Sequence, residues 1–215
     1  TADGINYIKG GKVVNVLNAD DGMQNTQILT LAEAGDGILL AGSDGSGIYV
    51  IEKGVITNTL TKENGLSSGV VLRLIPCEHG FLVVTSNALC HMSENFKITK
   101  LPYFNNYDII VEGQMAYVTC SAGVYKVKLG DLCANKVTQY ELYDVNEGLG
   151  VGLTANSWND RTQAGELLLC SNSGCVLFHD NETDASANQN IKYGLSYVEA
   201  DGEFIQQGNT GDYLI

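Results

Sequence analysis

The chain has 215 residues, of which 44% are hydrophobic, so it can bury a sizeable core. Its formal net charge is -13, from 12 basic and 25 acidic residues, and its only arginines are Arg73 and Arg161. Nucleic acids and anionic membrane surfaces are bound through basic patches, so this balance argues against either partner. No apolar run approaches the roughly 18 residues that a membrane-spanning helix needs. The chain begins with neither Met nor a signal segment, so we expect a mature or trimmed form.

Short apolar runs bounded by Gly, Asn, Asp or Ser predict β-strands along the whole chain. They are rich in β-branched and aromatic residues, as in GIYVI, FLVVTS, MAYVTC and ELLLC. The best helix candidate is QILTLAEAG, in which Ile28, Leu31 and Ala32 have helical spacing. This segment aligns in the repeat described next with GVVLRLIPCEHG, so we predict that it is also a strand.

A Gly-apolar start recurs at residues 4, 47, 88, 123, 174 and 211, with Ala in place of Gly at residue 88. A second landmark falls between starts, as DDGMQN, ENGLSSG and NEGLGVG, with KYGLS as a weaker copy. Between Gly47 and Ala88 the sequence predicts four strands, GIYVIE, VITNTL, VVLRLI and FLVVTS. A unit of about 40 residues that contains four strands is typical of a β-propeller blade.

We therefore predict an all-β chain, residues 1–215, built as a β-propeller of about five four-stranded blade repeats. A ββα solenoid would need a helical pattern in each repeat, leucine-rich repeats are shorter, and a sandwich does not explain the recurring register. GINYI and GDYLI would fill the same strand position, which favours an arc cut from a larger propeller. A compact five-bladed ring that closes with its N-terminal strands is the alternative. Open blade edges would permit self-association.

The order ENGLSSGVVLRLIPCEHGFLVVTSNAL resembles the two-component regulator propeller repeat. Asn64 to Ser68 match the "DGLPSN" turn of that family, and Asp36 to Ser43 match its "DGxxWIGT" segment. The resemblance is good from Gly4 to about Ala88 and from Asn146 to Ser173. It is poor over 89–104 and 180–190, and the Trp usual in the family's second strand is absent from every copy.

The resemblance implies a sensor, because propellers of that family form the extracytoplasmic input part of bacterial membrane-bound regulators. A membrane helix follows in that family, and then a signalling module, often a histidine kinase and sometimes a diguanylate cyclase. Many relatives respond to oligosaccharides. We therefore expect a non-enzymatic domain on the periplasmic or extracellular side of a bacterial membrane, with a small-molecule or oligosaccharide ligand and a signalling module outside this chain. A propeller hydrolase or lyase and a protein-interaction scaffold remain alternatives, although no Trp-Asp pair closes any repeat as in WD40 proteins.

Two stretches combine aromatic and polar residues in the way that sugar-binding sites do. Aromatic faces stack on the CH faces of sugars, while amide and carboxylate groups bind the hydroxyls. In both stretches, aromatic residues that cover the edge or rim of a blade are the simpler interpretation. The second stretch lies in the longest interval between starts, where a long loop often carries function. The candidate ligand-binding residues are Tyr103, Asn105, Asn106 and Tyr107 in YFNNYD, and Trp158, Asn159, Asp160 and Arg161 in SWNDR.

The sequence predicts no catalytic residue, no cofactor and no metal site. It contains neither a nucleophile elbow nor a phosphate-binding Gly loop. The acidic stretch at 180–186 lacks the EF-hand order and favours a solvated loop. His79, His91 and His179 are too few for a metal-dependent active site at one end of a propeller. No CxxC pair is present, and most of the cysteines lie in apolar runs, so we expect mainly buried free thiols and leave disulfides open. The cysteines are Cys77, Cys90, Cys120, Cys133, Cys170 and Cys175.

Overall fold

The structure, a computed structural model, describes residues 3–102, 105–146, 149–155 and 157–179, together with the backbone of 198–200 and 203–205. The chain forms two compact units, Thr1–Phe178 and His179–Ile215. Tyr103, the acidic stretch at 180–186 and the last repeat start at Gly211 lie outside the described residues. In the second unit, two short strands form an antiparallel hairpin.

The first unit consists of an N-terminal hairpin and antiparallel sheets that follow one another along the chain. In each sheet, neighbouring strands in sequence are also neighbours in space. The hairpin pairs β1 (Ile5–Lys9) with β2 (Lys12–Leu17). Sheet 1 contains β3 (Ile28–Glu33), β4 (Ile38–Ser43), β5 (Ile48–Glu52) and β6 (Val55–Leu60). Sheet 2 contains β7 (Val71–Cys77), β8 (Gly80–Thr85), β9 (Leu89–Ser93) and β10 (Ile98–Lys100).

Sheet 3 is interrupted by a short helix, and sheet 4 has three described strands. Sheet 3 contains β11 (Asn106–Glu112), β12 (Met115–Cys120), β13 (Gly123–Lys128) and β14 (Glu141–Tyr143), with the helix α1 (Leu129–Cys133) between β13 and β14. Sheet 4 contains β15 (Asp160–Arg161), β16 (Leu167–Ser171) and β17 (Gly174–Phe178). The second unit contains β18 (Val198–Ala200) and β19 (Glu203–Ile205).

This topology confirms the predicted all-β class and the four-stranded sheets. QILTLAEAG forms strand β3, as the repeat register predicts. Gly47 precedes the third strand of sheet 1, so the repeat start in the sequence lies in the middle of a sheet. The helix α1 has no counterpart in the sequence prediction. No helix among the described residues has the length and apolar character needed to cross a membrane.

The second landmark of the repeat is a capped turn that leads from one sheet to the next. Asn18 and Thr61 each cap a single 3₁₀ turn through a capping box, with the side chain accepting a backbone N–H inside the turn. Gly22 and Gly65 end these turns at φ of 100° and 104°. Only Gly adopts such values without steric cost, which explains why the landmark contains it.

The recurring Gly start has an equally local cause. Gly47 has a φ of 83°, and a Cβ atom placed there would lie 2.0 Å from the carbonyl oxygen of Leu60, the last residue of β6. Gly123 has a φ of 139°, and its Cβ would lie 2.2 Å from the carbonyl oxygen of Tyr143, the last residue of β14. In sheets 1 and 3, the third strand therefore begins where the end of the fourth strand leaves no room for a side chain.

The hydrophobic core lies between consecutive sheets. Because side chains alternate along a strand, each sheet presents one apolar face to the sheet before it and another to the sheet after it. Leu40, Ile48 and Val50 of sheet 1 pack toward sheet 2, whereas Ala41, Tyr49 and Ile51 pack toward the hairpin. Sheet 2 meets sheet 3 through Leu82, Val84, Leu89, Ile109 and Val118. Sheet 3 meets sheet 4 through Ile110, Tyr117, Val124, Leu167 and Leu169.

Candidate ligand site on the first strands

The first strands of sheets 1, 2 and 3 share a β-bulge at one position. The pairing register shifts just before Thr30 in β3, Arg73 in β7 and Asp108 in β11. A bulge changes the direction of the side chain beside it, and bulges are common next to functional sites. Here the bulge residues reach the neighbouring sheet. Thr30 Oγ1 accepts a hydrogen bond of 3.4 Å from the backbone N–H of Leu74 in β7.

Asp108 is buried at the centre of contacts that join sheets 2, 3 and 4. Its Oδ1 atom lies 2.9 Å from Nε of Arg73, and its side chain is inaccessible to solvent. Its Oδ2 atom accepts hydrogen bonds from the backbone N–H and the Nδ2 atom of Asn159, at 3.0 and 3.1 Å. Burial raises the pKa of the Asp108 carboxyl, while the Arg73 charge and the Asn159 donors act in the opposite direction.

Arg73 also lies against the indole ring of Trp158. The guanidinium carbon is 3.6 Å from the ring centroid, which is a cation–π arrangement. The Nη2 atom of Arg73 donates to the backbone carbonyl of Asn159 at 2.5 Å. The Arg73 side chain is only 16% exposed, whereas Trp158 is 57% exposed. The ring therefore keeps an accessible aromatic surface while Arg73 holds it in place. We call Arg73, Asp108, Trp158 and Asn159 the first-strand cluster.

The YFNNYD stretch contributes to the first-strand cluster through a residue that the sequence did not single out. Asn105 is exposed in a turn, and its Nδ2 atom donates to Ser121 Oγ at 3.5 Å. Asn106 is buried, and its Oδ1 atom accepts the backbone N–H of Leu89 in β9 at 3.3 Å, so it links sheets 3 and 2. Tyr107 is half-buried. Of the described residues of this stretch, only Asp108 enters the cluster.

The SWNDR stretch divides between two environments. Trp158 and Asn159 belong to the cluster, and Oδ1 of Asn159 accepts the backbone N–H of Cys170 at 2.8 Å. Asp160 is exposed. Arg161 forms an ion pair of 2.5 Å with Oε2 of Glu112, at the end of β11, and its Nη1 atom donates to the other carboxylate oxygen at 2.8 Å. Arg161 thus connects β15 to β11 and is not part of the first-strand cluster.

Arg73 and the role of Asp108 were not predicted from the sequence, although the sequence contains a signal for both. Each is the third residue of a first strand, in VLRLIPC and NYDIIVE. Charged residues at equivalent positions of neighbouring repeats would lie close together if the strands pack side by side. That signal depends on aligning the third repeat, which contains the poorly matching residues 89–104.

Comparison with known proteins gives structural matches only. No family model and no curated protein matches the sequence. Among solved structures, the extracellular domain of the hybrid two-component system BT3049 from B. thetaiotaomicron superposes with a TM-score of 0.64 at 14% identity, over 97% of this chain. The extracellular domain of the one-component system BT4673 from the same organism gives a TM-score of 0.56 at 16% identity, over 74% of this chain. The chain shares the fold of the matched part of these domains.

These matches are extracellular domains of two-component and one-component systems, the class of protein that the sequence resemblance implied. The chain spans 30% of the length of the BT3049 domain and 23% of the length of the BT4673 domain. It therefore corresponds to less than a third of either. At identities this low, the likeness shows that the fold is shared.

Proposed function

We propose that this chain is an arc of a ligand-sensing propeller that forms the input part of a bacterial membrane-bound regulator of the two-component type. The propeller lies on the periplasmic or extracellular side and catalyses no reaction. A signalling module outside this chain reads its state. The shared fold with extracellular domains of two sensor systems supports this proposal, as do the consecutive four-stranded sheets.

The observation that carries the sensor proposal is the exposed Trp158 ring above a buried polar network. Trp158 offers a stacking surface, and Asp160, two residues further along the chain, has an exposed carboxylate. An aromatic face beside hydrogen-bonding groups suits a sugar ring, which has apolar CH faces and hydroxyl edges. We therefore assign an oligosaccharide as the ligand class. Because Arg73 lies against Trp158 and pairs with Asp108, a ligand on the Trp158 ring contacts a residue that is linked to the groups that join three sheets.

Intrinsic fluorescence provides a direct test, because Trp158 is the only tryptophan in the chain. Titration with a panel of neutral and acidic oligosaccharides is expected to change its emission saturably and to raise the melting temperature. Trp158→Ala should abolish the binding heat in calorimetry. Tyr140→Ala removes an aromatic residue that is 60% exposed and lies outside the cluster, so binding should be unchanged. No response to any sugar, or equal losses in both variants, would refute the assignment.

Product analysis separates the sensor from the enzyme alternative. The incubated oligosaccharides should be recovered intact, since Asp108 is the only carboxylate in the first-strand cluster and is held by Arg73 and Asn159. Glycoside hydrolysis ordinarily needs a pair of carboxylates on either side of the bond. Cleaved sugars in the wild-type incubation, absent from the Trp158→Ala incubation, would favour the hydrolase or lyase.

The proposal includes contact between copies through the N-terminal hairpin. Ile8 and Val13 are cross-strand partners on β1 and β2, and they are 68% and 56% exposed. Exposed apolar residues on a two-stranded hairpin are a surface for pairing with another sheet. In the complete sensor, another blade of the same propeller would cover this surface. In the isolated chain, we expect a second copy to do so.

A further inference from the structure

Cys77, His91 and Cys133 form a cluster that has no part in the ligand site. Two Sγ atoms and one imidazole nitrogen, one from each residue, lie within 4.8 Å of one another. All three residues are half-buried. The Nε2 atom of His91 is buried and has no hydrogen-bond partner among the described residues. Buried polar atoms in folded proteins nearly always have a partner, so this nitrogen points to a ligand.

The fold brings these residues together from two sheets. His91 in β9 lies opposite Leu82 in β8, which lies opposite Ile75 in β7. Directly opposed residues share a face of the sheet, and Cys77 is two residues beyond Ile75, so it lies on that same face. Cys133 comes from the last turn of α1 in sheet 3. Cys77 and Cys133 both pack against the core between sheets 2 and 3.

We propose that Cys77, His91 and Cys133 bind a zinc ion that links the helix α1, which follows β13 of sheet 3, to sheet 2. Thiolate sulfur and imidazole nitrogen are the ligands that zinc prefers, at about 2.3 and 2.0 Å in a tetrahedral arrangement. That geometry places neighbouring ligand atoms roughly 3.5–3.8 Å apart, so the observed cluster needs to contract by no more than about 1.3 Å. The inference does not depend on the proposed sensor function.

The surroundings supply access and a fourth position. A cleft of about 470 Å³ is lined by Cys133, together with Glu78, Lys128 and Asp131. Another cleft on sheet 3, of about 490 Å³, is not lined by any residue of the cluster. Metal and water could reach the cluster through the cleft that Cys133 lines. Three protein ligands leave one tetrahedral position, which water or the carboxylate of Glu78, the residue after Cys77, can fill. A site with one solvent-facing position is accessible to exchange with chelators.

A disulfide between Cys77 and Cys133 is the competing chemistry. In an oxidising compartment, two thiols this close can be oxidised to a disulfide. A disulfide would account for two of the three residues and would leave His91 Nε2 without a partner. A zinc ion accounts for all three, which is why we favour it.

Cobalt provides the spectroscopic test. The full chain is reduced, freed of metal with a chelator and titrated with Co²⁺, and Zn²⁺ is then added. We expect one Co²⁺ per chain, thiolate-to-cobalt charge-transfer bands in the near ultraviolet, and loss of these bands as Zn²⁺ displaces Co²⁺. At zinc concentrations about 100-fold above the dissociation constant, the melting temperature should rise by about 5–10 °C.

Matched variants and a wild-type measurement decide the outcome. Cys77→Ser, Cys133→Ser and His91→Gln should each weaken zinc binding at least tenfold, whereas Cys175→Ser, at an exposed cysteine outside the cluster, should not. In the wild type, which requires no variant to fold, Zn²⁺ should protect Cys77 and Cys133 from alkylation and leave Cys175 reactive. The proposal is overturned if Co²⁺ gives no thiolate band. It is also overturned if the isolated chain carries a Cys77–Cys133 disulfide and takes up no metal after reduction.

Discussion

Removing the Asp108 carboxylate should destabilise the chain far more than removing its exposed neighbour Asp160. Asp108→Ala leaves the Arg73 guanidinium without its counter-charge, although only 16% of that side chain is exposed. It also deprives two N–H groups of Asn159 of their acceptor. These groups connect the first strands of sheets 2 and 3 to the start of sheet 4. The substitution therefore acts at two sheet-to-sheet contacts at once.

The magnitude follows from the burial of the pair. Breaking a buried ion pair by removing one partner costs about 3–5 kcal/mol, because a charge is left buried and unpaired. Arg73 keeps some exposure and its contact with Trp158, so we expect the lower end, about 3 kcal/mol. Domains are stable by only about 5–15 kcal/mol, so this loss is a large fraction of the total. Replacing both partners, as Arg73→Met with Asp108→Leu, should cost at least about 2 kcal/mol less than the sum of the single changes.

Urea unfolding followed by circular dichroism measures these differences at neutral pH. Asp160→Ala is the control, because that carboxylate is exposed and accepts the backbone N–H of its own neighbour Arg161. Such a surface change should stay within about 0.5 kcal/mol of wild type. If Asp108→Ala also stays in that range, or if the double variant loses the full sum of the single losses, the first-strand cluster does not hold the sheets together.

Three other changes test single features of the fold. Burial raises the pKa of Asp108 above its usual 3.8, so the stabilising contribution of its protonated form is full below pH 3.8 and is lost as the pH rises through the folded value. The stability of wild type relative to Asp108→Asn should therefore fall as the pH rises above about 3.8, and a constant difference in urea unfolding would contradict this shift. Gly47→Ala should cost at least about 2 kcal/mol, and more than Gly174→Ala, where φ is 110° but no atom lies within 4 Å of the added Cβ. Equal losses in thermal unfolding would mean that the Leu60 carbonyl does not set the requirement. Ile8→Lys should reduce the concentration-dependent self-association seen in sedimentation, whereas Val55→Lys, at an exposed residue of β6, should not, and equal sedimentation of all three chains would argue against the hairpin contact.

The strands and turns could be predicted because their causes are local. A side chain at Gly47 would clash with the carbonyl of Leu60 in the same sheet. Thr61 caps a turn that is only three residues long. The same kind of carbonyl contact recurs at Gly4 and Gly123, so the sequence shows this requirement as a repeat. The helix α1, in contrast, could not be predicted from the sequence. Its five residues, LGDLC, occur once and are too few to show a helical period, so the pattern could not reveal it.

The candidate sites were only partly predictable because their contacts cross between sheets. Trp158 and Asn159 could be selected as an aromatic-polar group within one loop. Their partner Arg73 comes from a strand two sheets earlier, and Asn159 is 51 residues from Asp108 in the sequence. In the same way, Cys77, His91 and Cys133 have none of the short spacings of zinc motifs. The sequence therefore predicted no metal site, and the zinc ion is inferred from the packing of α1 against sheet 2.

A structural role and a ligand-binding role of the first-strand cluster predict opposite results for ligand binding by one double variant. If the cluster serves only to hold sheets together, then Arg73→Met with Asp108→Leu supplies apolar contacts instead and should leave any ligand response intact. If Trp158 is the ligand surface, its position depends on the guanidinium 3.6 Å from its ring, and the same variant should fold but lose the response. Calorimetry with an oligosaccharide that binds the wild type, on a variant whose circular dichroism and melting temperature match the wild type, gives the answer. Unchanged binding would restrict Arg73 and Asp108 to a structural role.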